Sequence, residues 1–107
     1  MTALCPAGSI VAGSPVLVRR NATASIILLR LRDGMLTAWR NACPHMGIEL
    51  DWEPRRLLTR DGRYLQCTGH GALFRLDDGL CVRGPCAGES LQSVPVRVEN
   101  DMVTLDD

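Results

Sequence analysis

CTGHGALFRLDDGLCVRGP, residues 67 to 85, joins a hairpin to a loop rich in metal-ligating groups. The dipeptide Asp78-Gly79 separates two short apolar runs, ALFRL (72–76) and LCV (80–82), which is the signature of a tight β-hairpin. Immediately before it stands Cys67-x-x-His70, followed by Gly71. Moving outward, LLT (57–59) and RYLQC (63–67) flank Asp61-Gly62 as a second hairpin. TASIILLRL (23–31) and MLTAWR (35–40) flank Asp33-Gly34 as another, with SPVLVRR (14–20) before them. SVPVRV (93–98) and MVTL (102–105) enclose a turn at Asn100-Asp101, and Pro95 points to an edge position because proline cannot donate to a ladder. Short strands with turns this frequent predict an all-β fold, a sandwich or a barrel. GIELDWEPRRLL (47–58) has room for one helical turn, which Pro54 limits.

The chain has 107 residues, a length that suits one domain spanning 1–107. Twelve basic and twelve acidic residues give no net charge, which argues against nucleic acid or an anionic membrane as partner. All twelve basic residues are arginine. No stretch reaches the roughly 18 apolar residues of a membrane span. Arg19-Arg20 precedes an apolar run that is short, broken by Arg30 and without a clear cleavage site, so the pair is not read as an export signal. The expectation is a soluble, cytoplasmic protein. Its five cysteines, an odd number, do not suit a secreted disulfide framework.

Both histidines of the chain lie beside cysteines, His45 in CPHMGIEL (43–50) and His70 in the stretch above. A buried cysteine or a satisfied polar histidine is the ordinary reading of any one such position. Four in two paired motifs point to metal instead. Cys43, His45, Cys67 and His70 suit a tetrahedral zinc site. They equally suit a two-iron, two-sulfide cluster with two cysteines on one iron and two histidines on the other.

The surrounding residues favour the cluster. Cys43-Pro44-His45, Gly47 and Leu50 resemble the first half of the Rieske iron–sulfur motif. Cys67, His70-Gly71, Phe74, Gly79 and Gly84-Pro85 resemble the second half, over roughly residues 15 to 105. The resemblance implies an antiparallel β-sandwich with an inserted cluster-binding subdomain at about 41–87. It implies one [2Fe-2S] cluster per chain, held by Cys43 and Cys67 on one iron and by His45 and His70 on the other. It also implies that the Gly84-Pro85 loop covers a third side. The 21 residues between His45 and Cys67 make a longer gap than is common, and Arg55, Arg56, Arg60 and Arg63 fall in it. These arginines are expected on a solvated surface beside the cluster.

Rieske proteins of respiratory and photosynthetic complexes carry a disulfide between their ligand loops; here the similar positions are Ile48 and Gly69. Ala72 and Phe74 stand where those proteins place serine and tyrosine hydroxyls on sulfur. Fewer donors to an anionic cluster imply the low end of the range of roughly −150 to +300 mV. Cys81 and Cys86 are expected as thiols, and Cys5 in a mobile N-terminus. Trp39 and Trp52 are expected to serve packing.

The function implied is electron transfer, from a flavoprotein reductase to an acceptor oxygenase or similar enzyme, with no bond-making catalysis by the chain itself. Alternatives are a Rieske subunit of a larger oxygenase or nitrite-reductase-like complex, and a structural zinc module. Both histidines are assigned to the cluster, which leaves none in this chain for a catalytic mononuclear iron of the two-His, one-carboxylate type.

Overall fold

The computed structural model describes residues 3–22, 24–44, 47, 49–51, 53–68 and 71–106. Nine strands are seen among them: β1 Ala3–Pro6, β2 Val16–Asn21, β3 Ala24–Arg30, β4 Leu36–Arg40, β5 Tyr64–Cys67, β6 Ala72–Arg75, β7 Cys81–Arg83, β8 Val96–Glu99 and β9 Met102–Leu105. They form three antiparallel sheets of three strands, in the orders β1-β9-β8, β2-β3-β4 and β5-β6-β7. The all-β antiparallel expectation holds.

The run Ser25 to Leu29 shows how the sheets are layered. It is buried throughout, with apolar residues at four successive positions. Strands covered on both faces lose the apolar/polar alternation. Ile26 and Leu28 join Ile10, Ala38 and Val103 in one core. Ile27 and Leu29 join Trp39, Leu50, Leu65, Phe74 and Leu91 in the other. The β2-β3-β4 sheet therefore stands between the other two, with a core on each side.

Local chemistry sets the turns. Asn100 and Asp101 take positive φ of 51° and 63° between β8 and β9, where a two-residue hairpin turn needs left-handed backbone. Between β6 and β7, the Asp78 carboxylate accepts hydrogen bonds from the Arg75 Nε–H and the Leu80 N–H, both at 3.0 Å. Arg75 and then the Leu80 amide hold that carboxyl down at about 2. Gly79 combines positive φ with a close approach: a Cβ there would stand 2.9 Å from a Trp39 ring carbon. Trp39 is buried, as the packing role expected.

Other boundaries differ from expectation. β1 pairs antiparallel with β9, placing Cys5 opposite Val103 and half-buried, so it belongs to a sheet rather than to a mobile N-terminus. Four residues ending in proline are too few to show a period. Pro95 lies just ahead of β8, which is an edge strand as its proline suggested. Pro54 opens a 3-10 turn, Pro54–Arg56, instead of limiting one. Proline fits the first helical position, where its missing N–H has no partner to lose.

The segment after β7 crosses the layers. Cys81 N–H bonds Glu89 O at 2.8 Å and Leu91 N–H bonds Gly79 O at 3.0 Å. Arg40 N–H then bonds Gln92 O, and Val94 N–H bonds Ala38 O, both at 2.9 Å. One extended segment thus joins the β5-β6-β7 sheet to β4 before the chain enters β8.

Candidate metal centre

The two predicted ligand cysteines head turns of the same construction. Gly47 N–H bonds the Cys43 carbonyl at 2.7 Å, and Gly71 N–H bonds the Cys67 carbonyl at 2.9 Å. Each is an i to i+4 turn that ends on a positive-φ glycine, 74° at Gly47 and 71° at Gly71. Such turns reverse the chain within five residues and close it back over the cysteine. Both thiols sit at 1% exposure in one core, with Ala72, Phe74, Cys81 and Cys86. His45 and His70, and likewise Ile48, Gly69 and Trp52, lie outside the described residues.

The loops are tied together by polar groups. Thr68 N–H reaches Leu50 O at 3.3 Å, and its hydroxyl donates to Asp51 Oδ2 at 2.7 Å. The buried Asp51 carboxylate also accepts from Glu53 N–H at 2.8 Å and from Arg56 Nη2 at 3.0 Å. Burial pushes its pKa up, but the Glu53 amide, the Thr68 hydroxyl and Arg56 together outweigh burial and hold it below the usual carboxylate range.

Asn41 anchors the first loop from below. Its Oδ1 accepts Leu50 N–H at 2.9 Å, and its Nδ2 donates to Asp51 O and to Ser25 Oγ, each at 3.0 Å. The Ser25 hydroxyl donates to Glu49 Oε2 at 2.6 Å, and Arg19 pairs with Glu49 at 2.9 Å. Burial opposes ionisation of Glu49, while Ser25 and Arg19 overcome it and lower its pKa. Asn41, Ser25, Asp51 and Thr68 were not singled out from sequence. Two of them, Asn41 and Asp51, bracket the first ligand loop, and that position is the only signal they carry.

Residues 81–89 bring Cys81 and Cys86 into the core that holds Cys43 and Cys67. Gly88 N–H bonds Cys81 O at 3.0 Å, Ala87 N–H bonds Gly84 O at 3.2 Å, and Glu89 N–H bonds Cys86 O at 2.9 Å. Gly84 lies so close to β6 that a Cβ would stand 2.8 Å from Ala72 Cα. No disulfide joins any of the five cysteines. Cys86 Sγ lies 2.9 Å from Cys81 Sγ and donates to it. Its thiol is pushed up to about 12 by burial first, then by Cys81 and Cys43 beside it.

The arginine-rich gap is arranged differently from expectation. Arg56 turns to Asp51 at 3.0 Å and Arg55 to Glu53 at 3.5 Å. Arg55, Arg60 and Arg63 line a groove of about 720 Å³ with Arg30 and Arg32. In the β5–β6 ladder Cys67 pairs with Ala72 at one end, while Tyr64, next to Arg63, pairs with Arg75 at the other. Arg60 and Arg63 therefore flank the end of β5 remote from Cys67, because the gap doubles back through Leu58 opposite Leu65.

Among the described residues no three or more His, Cys, Asp or Glu are placed to hold a metal ion. Two buried cysteines at the heads of matching turns could supply the two sulfur ligands of a mixed Cys/His set. That half fits an iron–sulfur cluster.

The comparisons agree with the geometry. Residues 1–98 match the Rieske [2Fe-2S] domain. A ferredoxin of Sphingomonas yanoikuyae B1 is 26% identical, with a TM-score of 0.75 over 98% of this chain and 96% of that one. A chain from the complex of reduced oxygenase and oxidized ferredoxin in carbazole 1,9a-dioxygenase is 25% identical, with a TM-score of 0.73 over 96% of this chain and 98% of that one. The carnitine monooxygenase oxygenase subunit of Escherichia coli (strain K12) is 34% identical over 84 residues, which are 70% of this chain and 21% of the relative. The chain thus spans about a fifth of that curated relative. By its matched residues and its fold, the chain belongs to the Rieske [2Fe-2S] domain family, an electron-transfer family whose cofactor is a two-iron, two-sulfide cluster.

Proposed function

We propose that the chain is a low-potential Rieske-type ferredoxin, a cytoplasmic carrier that passes one electron from a flavoprotein reductase to an oxygenase or similar acceptor. The supporting observation is reciprocal coverage: the ferredoxin from S. yanoikuyae B1 is matched over nearly the whole of both chains. In this reading the protein makes and breaks no substrate bonds. The bound cluster supplies a site that accepts and releases one electron. Cys43 and Cys67 hold one iron as thiolates, and His45 and His70 hold the other through a ring nitrogen each. Residues 41–87 act as the cluster-binding subdomain of a single domain.

The chain's own residues do the positioning. The matching turns fix both cysteines, while Asn41, Asp51 and Thr68 fix the loops. Ala72 and Phe74 are fully buried and offer no hydroxyl to the cluster, in keeping with a low potential. The remaining ring nitrogens of His45 and His70 carry protons whose affinity rises on reduction, so the midpoint falls as pH rises through their oxidised-state pKa values.

A second reading makes the chain the Rieske component of a larger oxygenase, and the 34% identity to an oxygenase subunit favours it. Purified protein tests the first. Wild type is expected to be red-brown with a Rieske spectrum, and His45→Ala and His70→Ala each to lose it. A surviving Rieske spectrum in either variant refutes the ligand assignment. Reduction by a flavoprotein reductase and reoxidation by a separate oxygenase support the carrier. Tight co-purification with a catalytic subunit supports the second reading.

A further inference from the structure

Two buried thiols have no place in the proposed ligand set. Cys81 and Cys86 flank the Gly84-Pro85 loop, and each is at most 2% exposed. Their sulfurs lie 2.9 Å apart. The Cys86 thiol donates to Cys81, and the Cys81 thiol donates onward to Arg83 O at 3.1 Å. The backbone around them is pinned by Cys81 O to Gly88, Cys86 O to Glu89, and Cys81 N–H to Glu89 O. The two side chains are therefore held facing each other by main-chain bonds. A covalent S–S separation of about 2.05 Å lies within reach of side-chain rotation.

We propose that Cys81 and Cys86 form a reversible dithiol–disulfide pair that clasps the Gly84-Pro85 loop shut beside Cys43. The oxidant is hydrogen peroxide. One sulfur, as thiolate, attacks a peroxide oxygen; the O–O bond breaks and leaves a sulfenic acid and, with a proton, one water. The second sulfur attacks the sulfenic sulfur, the S–S bond forms, and hydroxide leaves as a second water. The two thiols lose two electrons, which the peroxide gains. A small dithiol reverses the step by exchange.

Burial decides the kinetics. The attacking species is the thiolate, and the closed loop keeps both sulfurs from solvent, with neither residue more than 2% exposed. Reaction therefore passes through local opening of residues 82–90, of which all but Cys86 are exposed. The pair is slow to oxidise and, once closed, holds the loop that seats against Ala72.

The consequence for redox chemistry rests on the reading above. Cys81 and Cys86 share the buried core that also holds Cys43. Closing the disulfide removes two S–H dipoles from the core that buries Cys43, so the midpoint of a cluster held through Cys43 shifts.

The test uses the cluster-loaded Cys5→Ser protein, treated with hydrogen peroxide, then denatured, alkylated and digested without reductant. The expected result is a cross-linked Cys81–Cys86 peptide, with both residues alkylatable again after dithiothreitol and the midpoint different before that reduction and after it. The pair is refuted if both remain alkylatable, or if they end as sulfinic acids or bonded to Cys43 or Cys67. An unmoved midpoint with the cross-link present overturns the link to Cys43. Failure of the cluster reading shows separately, as a colourless protein before any oxidant is added, and leaves the peptide result readable.

Discussion

Gly84→Ala separates backbone conformation from close contact when set beside Gly88→Ala. Both glycines have positive φ, 104° and 93°, in the same loop. A side chain at either position strains the backbone by about 1–3 kcal/mol. Against that, alanine removes disorder from the unfolded chain and returns about 0.4–1 kcal/mol. The net for Gly88→Ala is a loss of about 0–2.6 kcal/mol, because nothing lies within 4 Å of its added Cβ. At Gly84 the added Cβ meets Ala72 Cα at 2.8 Å, Ala72 Cβ at 3.1 Å and Ala72 N at 3.2 Å. Backbone is met on both sides, so no rotamer relieves the overlap and the loop must lift off β6. Overpacking of this kind adds about 1–3 kcal/mol. At about 4–8 °C per kcal/mol for a domain of this size, Gly84→Ala should melt roughly 5–20 °C below Gly88→Ala. The assay is anaerobic thermal unfolding of the cluster-loaded variants, followed by circular dichroism and visible absorbance together. Coincident melting of the two variants refutes the close-packing argument.

Three other outcomes are expected. Asp51→Asn should lower stability at neutral pH by about 2–4 kcal/mol, since the carboxylate accepts three hydrogen bonds in a buried site. The folded pKa of Asp51 is lowered, so its contribution is complete above the unfolded value near pH 4 and is lost as pH falls through the folded value. The urea midpoints of wild type and variant should therefore converge on acidification, and a gap independent of pH contradicts the assignment. Asn41→Ala leaves Leu50 N–H and Asp51 O without their partner and should cost about 2–4 kcal/mol, with faster cluster bleaching in urea than wild type. Equal bleaching rates count against Asn41 as an anchor. The cluster midpoint should be low at neutral pH and fall further in alkali; protein-film voltammetry that gives a clearly positive value at pH 7 overturns the low-potential reading.

What the sequence made legible was its local chemistry. Asp33-Gly34, Asp78-Gly79 and Asn100-Asp101 announce turns because their backbone requirements are met by the residues themselves. The pairing of Cys43 and Cys67 with histidines was equally local. The network that holds the loops was not legible, because its meaning lies in contact across the fold: Asn41 meets Ser25, and Asp51 meets Thr68. Arg60 and Arg63 were expected beside the cluster because they are near its ligands in the chain. They stand at the far end of β5 because Leu58 pairs back onto Leu65. The buried run in β3 was legible as a strand, but its place between two cores was not, since an all-apolar run fits any strand covered on both faces.

The two matching turns have a consequence for speed as well as for placement. An electron that arrives at a metal centre changes its charge, and the surroundings must adjust before the transfer is complete. Dipoles already fixed by the fold need little adjustment. Here the backbone around Cys43 and Cys67 is closed on itself by Gly47 and Gly71, and its flanks are bonded to Asn41 and Asp51. Arrival and departure of charge then meet nearly the same nuclear positions. On the proposed reading, a cluster held by these two cysteines would have a low reorganisation energy.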